Sequence, residues 1–202
     1  SGAATGGAGG AVYVTVGSGN TGTGGELFMS AGLSSVSTGG KVTLMSGYGS
    51  TTSSGDIRIQ TPNAGTTGVS GLIVLSSGST SKGNSGSISI GTGTAASGTG
   101  GAISITVGTG DSGTGGELLL SAGDTTDTAA VSGGSVKLFS GYSSAKSGGD
   151  IWIQTGNGGT SGVSGMIVLS TGTTSAGATG SIKIGSGAAT GGAGGAVYVT
   201  VG

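Results

Sequence analysis

The side chains that carry most protein chemistry are scarce in this chain of 202 residues. It has no His and no Cys, so a Ser-His-Asp arrangement and an imidazole or thiolate metal site are impossible. Carbohydrate-processing enzymes work instead with clustered carboxylates, and the carboxylates here are spread through the chain. The segment carboxylates are Glu26, Asp56, Glu117 and Asp150, and only a coil of several strands could bring some of them together. We therefore predict that the protein is not an enzyme and has no catalytic residue.

Two further features offer weak signals for ligand binding. Residues 17–22 and 108–113 match the G-x-G-x-x-G pattern of dinucleotide sites, but no helical pattern follows either, and a glycine-rich chain produces such matches by chance. Asp124 and Asp127 lie at a three-residue insertion, where they either share a weakly held calcium ion with solvent or form a solvated loop. Calcium-binding β-rolls carry Asp in nearly every turn, so we favour the solvated loop. We predict no cofactor, no cofactor-binding residue and no metal site.

The elements that would position any site are short apolar segments in tandem. Each segment is preceded by Gly, and all but one have Gly six residues after their start, the exception being Pro62. Successive starts are 15 residues apart, apart from two intervals of 16 and one of 18. The thirteen segments begin at Ala11, Glu26, Lys41, Asp56, Leu72, Ser87, Ala102, Glu117, Ser135, Asp150, Met166, Ser181 and Ala196. Such a period is the primary feature of a repeat protein.

Longer repeats are built from this short one. Residues 1–17 return letter for letter as residues 186–202, which gives a repeat of 185 residues. Within it, two half-units of about 91 and 94 residues correspond: ELFMSAG reappears as ELLLSAG, and DIRIQT as DIWIQT. We therefore interpret residues 1–202 as a single continuous repeat array, cut from a longer tandem series.

The segments alternate apolar and other residues with period two, which is typical of half-buried strands. From this alternation we predict an all-β fold, a β-solenoid of ~15-residue repeats with 13 strands and no helices. One strand per coil, or two, three or six, are equally compatible with the spacing. The predicted inward residues are Val12, Val14, Val16, Leu27, Met29, Val42, Leu44, Ile57, Ile59, Ile73, Leu75, Ile103, Ile105, Leu118, Leu120, Val136, Leu138, Ile151, Ile153, Ile182 and Ile184.

Glycines should form the corners of such a solenoid. We expect the Gly before each strand, Gly101 and Gly195 among them, to adopt φ > 0, where a β-branched residue is strained. Replacement of these two by Val should then cost far more than truncation of the outward Ser104 or Tyr198 to Ala.

The predicted outward positions form a mixed column. An ice-binding face would present one short residue, usually Thr, in a regular array, whereas aromatic and aliphatic residues here favour lateral packing. Tyr48 and Tyr142 open corresponding loops and fit the same packing role. The outward residues are Tyr13, Phe28, Thr43, Arg58, Val74, Ser89, Ser104, Leu119, Lys137, Trp152, Val168, Lys183 and Tyr198.

Composition limits the partners. Six basic and seven acidic residues form no basic stripe, so we predict no nucleic-acid binding. Apolar runs are too short for a membrane span.

A flexible low-complexity linker is the alternative interpretation of a chain with 53 glycines in 202 residues, but the regularly placed β-branched residues are atypical of disorder. A chain this poor in charge fits a component that associates with itself along its repeat axis and laterally.

The glycine-rich composition and the repeated Gly-Gly-apolar-x-apolar register loosely resemble the Gly/Ser/Thr-rich tandem-repeat β-solenoid proteins of microbial and algal extracellular filaments and surfaces. The resemblance implies a structural protein that forms or stiffens an extracellular or cell-surface fibre by stacking of its strand rungs. It names no site residue. The alternative is an adhesin-type or ice-binding solenoid in which one regular face binds the ligand. The many Ser and Thr residues leave carbohydrate contacts or O-glycans open.

Overall fold

The computed structural model describes residues 5–127 and 132–202, and these residues contain no helix and no strand. The predicted β-solenoid of 13 strands is therefore wrong: the described chain is coil throughout, a series of apolar segments joined by bent loops. It divides into two units, Ser1–Ala102 and Ile103–Gly202. The boundary falls just after the first residue of the seventh segment, Ala102.

A bend recurs in the loop that precedes each segment, except in the partly described loop before Ser135, whose described residues contain none. The bends lie at 5–7, 20–22, 35–37, 50–52, 66–68, 81–83, 96–98, 111–114, 144–146, 160–162, 175–177 and 190–192. Their spacing follows the segment spacing, so the sequence period is also a conformational period. The described glycines with φ between +80° and +155° all lie in these bends, and they are Gly7, Gly68, Gly83, Gly113 and Gly177. Glycine takes this backbone region without the penalty of a side chain.

The two ends of several loops meet at a neck closed by one backbone hydrogen bond. The Gly40 amide donates to the Gly32 carbonyl at 2.8 Å, and the Gly55 amide donates to the Gly47 carbonyl at 3.0 Å. In the second unit, Gly134 donates to Gly123 at 2.9 Å, and Gly149 to Gly141 at 2.9 Å. Each neck joins the Gly that ends one segment to the Gly that precedes the next.

The three-residue insertion changes a loop without changing its neck. Gly32 and Gly40 enclose the shorter loop, whereas Gly123 and Gly134 enclose the corresponding longer one with the same type of hydrogen bond. Loop-closure entropy rises only slowly with length, which explains why one neck geometry accepts both loops. Residues 128–131 of the longer loop, which holds the insertion, lie outside the described residues.

Threonine hydroxyls close other necks. Thr61 Oγ1 donates to the Gly71 carbonyl at 3.2 Å, and Thr155 Oγ1 donates to the Gly165 carbonyl at the same distance. These two necks occupy equivalent places in the two half-units, offset by 94 residues. A third threonine neck joins Thr92 Oγ1 to the Gly101 carbonyl at 3.2 Å. A threonine hydroxyl thus takes the place of the glycine amide as the donor in these three necks.

Several of the glycines that precede a segment are required by space rather than by dihedral angle. Gly101 and Gly195 do not have positive φ, so the predicted corner conformation is wrong for both. Instead, a Cβ on Gly116 would lie 2.6 Å from Val107 Cγ1, and one on Gly25 would lie 2.5 Å from Val16 Cγ1. All the described glycines from Gly25 to Gly195 that precede a segment have such a neighbour within 4 Å. The segment end packs directly against these glycines.

The described residues form no core, which explains the absence of strands. All the predicted inward side chains are exposed. The chain exposes 19578 Å², whereas a folded protein of 18.2 kDa exposes about 8,000 Å² and its unfolded chain about 26,000 Å². A strand needs a neighbour for its ladder of hydrogen bonds, and among the described segments the hydrogen bonds between successive segments lie at the necks.

The neck contact predicts different results for two adjacent glycines. Replacement of Gly116 by Ala places a methyl group against Val107, whereas Gly115 has open space around it. We expect Gly116→Ala to shift the Val107 methyl resonances and to remove their nuclear Overhauser contacts with residue 116. Gly115→Ala is the matched control and should leave the Val107 signals in place. Equal effects of both substitutions would contradict the neck.

Candidate interaction surface

The described residues form no arrangement that resembles an enzyme active site or a metal site. They contain no group of three or more His, Cys, Asp or Glu that could hold a metal ion, and no pocket is found. At the insertion, the Asp127 amide donates to Thr125 Oγ1 at 3.2 Å, which is a local turn contact of the kind that short polar side chains make.

The structure around the two G-x-G-x-x-G matches shows whether either could bind a dinucleotide. Residues 17–22 end in the bend at 20–22, and residues 108–113 run into the bend at 111–114. No helix follows either motif in the described chain. A dinucleotide site depends on the positive end of a helix to hold the pyrophosphate, so these glycines shape loops.

The largest organised feature is a pair of side-chain rows along the segments. We define the aliphatic face as the side chains at the second and fourth positions of each segment, and the mixed face as those at the first and third positions. Side chains alternate across an extended backbone. The contact of Arg58 Nη2 with Asp56 Oδ2 at 3.5 Å joins a third position to a first position, as expected for one face.

Neither face is buried, and exposure does not separate them. Ile151 on the aliphatic face is 47 % exposed and the adjacent Trp152 on the mixed face 83 %, but the predicted inward Val12 is 74 % exposed and the predicted outward Val168 only 67 %. The predicted division into inward and outward residues is therefore wrong for the described chain, because no second layer covers the aliphatic face. Tyr48 and Tyr142 in the loops are about nine-tenths exposed and pack against nothing large.

The aliphatic side chains of the described segments have no cover within the described chain. Large hydrophobic side chains in the described chain are between 45 and 97 % exposed. Soluble monomers rarely leave contiguous apolar patches of more than a few hundred Å² in water, and larger ones mark interaction sites. Within each unit, this surface recurs with every segment.

The mixed face carries most of the segment charges. Glu26, Lys41, Glu117, Lys137 and Asp150 are all exposed, and none of them forms an ion pair with another described residue. The Asp56–Arg58 pair neutralises its own segment. Its two side chains are 77 and 81 % exposed, so the pair adds little stability.

Sequence reasoning missed the necks, although a signal for them exists. The sixth residue of every segment is Val, Ala, Ser or Thr, and it lies against the Gly that precedes the next segment. Examples are Val16 against Gly25, Ala31 against Gly40 and Thr155 against Gly165. Only a small or narrow side chain fits beside the glycine, which is the reason for this restricted choice.

Comparisons of the chain with protein-family models, with curated proteins and with solved structures found no match. No helix in the described residues has the length and apolar character needed to cross a membrane.

Trp152 is the single tryptophan and reports directly on the mixed face. In the dilute monomer we expect the emission of a water-exposed indole and strong quenching by acrylamide, because the side chain is 83 % exposed. If chains associate through both faces, the emission should move to shorter wavelength and quenching should fall. Unquenchable Trp152 fluorescence in the dilute monomer would contradict the described exposure.

Proposed function

We propose that this protein is a structural repeat protein that associates with further copies of itself to form or stiffen an extracellular fibre or surface layer. One observation carries the proposal: every repeat presents large aliphatic side chains to solvent, and the described residues contain no core that could cover them. Water disfavours this arrangement, since burial of apolar surface is the main favourable contribution to association. A second copy, with the same spacing of segments, supplies a matching apolar row.

The energetics favour association through many repeats at once. Burial of the exposed part of one aliphatic side chain contributes about 1 kcal/mol, whereas association of two chains costs roughly 4–15 kcal/mol in lost freedom. One repeat therefore binds nothing measurable. Thirteen segments in one chain exceed this cost because the later contacts form within an already joined pair.

Sequence closure and composition support the structural role. The return of residues 1–17 as 186–202 indicates a longer array, in which the number of contacts grows with each 185-residue unit. The extracellular location rests on the compositional likeness to Gly/Ser/Thr-rich surface proteins, in which exposed Ser and Thr also accept O-glycans. Bends and necks repeated along each unit give the array a regular arrangement of these surfaces.

A matched pair of double variants tests the proposal. Ile73→Ser with Ile167→Ser removes one aliphatic-face side chain from each half-unit. Val69→Ser with Val163→Ser is the control, because these residues are more exposed and lie in the corresponding loops. By sedimentation velocity we expect the wild type and the loop control to form large assemblies over the same concentration range. The segment variant should require about tenfold more protein.

Negative-stain electron microscopy of the same samples supplies the second measurement. Filaments or sheets are expected for the wild type and the loop control. A wild-type chain that stays monomeric up to millimolar concentration would overturn the proposal. Equal loss of assembly in both double variants would show that the aliphatic face is not the contact surface.

A further inference from the structure

The segment charges follow the same order of sign in both halves of the repeat. In the first half, Glu26, Lys41 and Asp56 occupy the first positions of three successive segments. In the second half, Glu117 and Asp150 flank Lys137 in the same way, with the lysine at the third position. First and third positions share the mixed face, so an acidic, a basic and an acidic residue succeed one another on that face in each half.

Only a charge that is not neutralised within its own segment can attract or repel a partner chain. Arg58 lies 3.5 Å from Asp56 and cancels its charge, and in the second half the equivalent of Arg58 is Trp152, which leaves Asp150 uncompensated. The charged segments that remain are those of Glu26, Lys41, Glu117, Lys137, Asp150 and Lys183. The other segments carry no net charge.

We propose that these charges set the register in which two copies of the chain meet through their mixed faces, with the Lys41 and Lys137 segments of one copy against acidic segments of the other, while further copies cover the aliphatic faces on the opposite side. This inference rests on the proposed self-association. Apolar contact alone specifies no register, because every segment presents a similar aliphatic face. Like charges placed opposite one another reject a register, and opposite charges favour it.

The sequence favours one offset for copies that run in the same direction. When two copies are aligned without any offset, each of the six charged segments faces the same segment of the other copy, so all six contacts join like charges. An offset of one repeat keeps twelve of the thirteen segments opposed. It brings Glu26 to Lys41, Glu117 to Lys137 and Lys137 to Asp150, and it places no like charges together.

Exposure of these side chains makes the effect dependent on salt. All six lie on the solvated surface of the described chain, and exposed charges are screened beyond about 8 Å at physiological ionic strength. Each pair is individually weak. The register is selected by the sum of these weak attractions over the array, together with the repulsion that an alignment without offset would create at every charged segment.

Charge-swapped variants test the register. Lys41→Glu with Lys137→Glu makes the charged segments around them uniformly acidic, and Glu26→Lys with Glu117→Lys makes them mostly basic. At low salt we expect each variant alone to need about tenfold more protein than the wild type to assemble. A one-to-one mixture of the two should assemble like the wild type, because exact alignment then joins opposite charges at these segments.

The control variant is Lys82→Glu with Lys146→Glu, which changes the net charge as much as the lysine-to-glutamate segment variant but lies in loops. It should assemble at the wild-type concentration. If the wild type assembles and the segment variants match this control, the register inference is wrong while the proposed function stands. If the wild type does not assemble at all, the proposed function fails and the register inference fails with it.

Cross-linking gives a direct readout of the contacts. A carbodiimide joins an amine and a carboxylate into an amide by removal of one water, which hydrates the reagent. In wild-type assemblies mixed from ¹⁴N- and ¹⁵N-labelled chains, we expect isotope-mixed links of Lys41 to Glu26, of Lys137 to Glu117 and of Lys137 to Asp150. Isotope-mixed links confined to the loop lysines Lys82 and Lys146 would overturn the inference.

Discussion

The structure depends on the shortage of apolar volume in each repeat. A segment supplies a few aliphatic side chains on one face, and the loop that follows it is made of Gly, Ser, Thr and Ala, which cannot form a second apolar layer. Domains are stable when two layers bury a common core. Because each repeat has only one such layer, the described chain keeps its aliphatic residues at the surface, and its order is local.

Local order comes from the neck, where a small residue at the end of a segment lies against a glycine nine to twelve residues later. The contact closes each loop and tolerates loops of different length, as the pair Gly32–Gly40 and Gly123–Gly134 demonstrates. In seven of the described loops it includes one hydrogen bond, and it buries little area. Such contacts bring a chain back on itself at regular intervals, but they leave its surfaces free for a partner. Function in a chain of this kind therefore lies in what its repeated surfaces contact.

The charges and the aliphatic residues perform different tasks on such surfaces. Aliphatic side chains favour association without choosing among registers, since all segments are alike in this respect. The charged residues are few and occupy only some segments, and the Asp56–Arg58 pair removes one more segment from the pattern. A sparse pattern of signs is sufficient to distinguish one alignment from another, because a single misplacement affects every repeat of the array at once. In the assembly that we propose, specificity and affinity come from opposite faces of the same segments.

Much of the regularity could be predicted from the sequence, whereas the predicted fold could not. The spacing of the segments located the loops, and a bend of the backbone lies in every loop whose residues are all described. The alternation of residues did not predict which side chains are covered, since the predicted inward Val12 is more exposed than the predicted outward Val168. The corner glycines were predicted for the wrong reason: Gly101 is restricted by the nearby side chain of Thr92, and positive φ occurs instead in the bends, at positions such as Gly68.

What the sequence by itself determined is the set of properties that depend on near neighbours: the period, the bends, the glycine-and-small-residue pairs of the necks and the sides on which side chains lie. Whether segments pair into strands was decided only by the tertiary structure, because a β-ladder requires a second backbone at hydrogen-bonding distance and a buried face to stabilise it. An apolar alternation with period two indicates only that a segment is able to pair with another strand. The described segments have neither that neighbour nor that buried face, and Ile73, Ile103 and Ile182 therefore remain in contact with water.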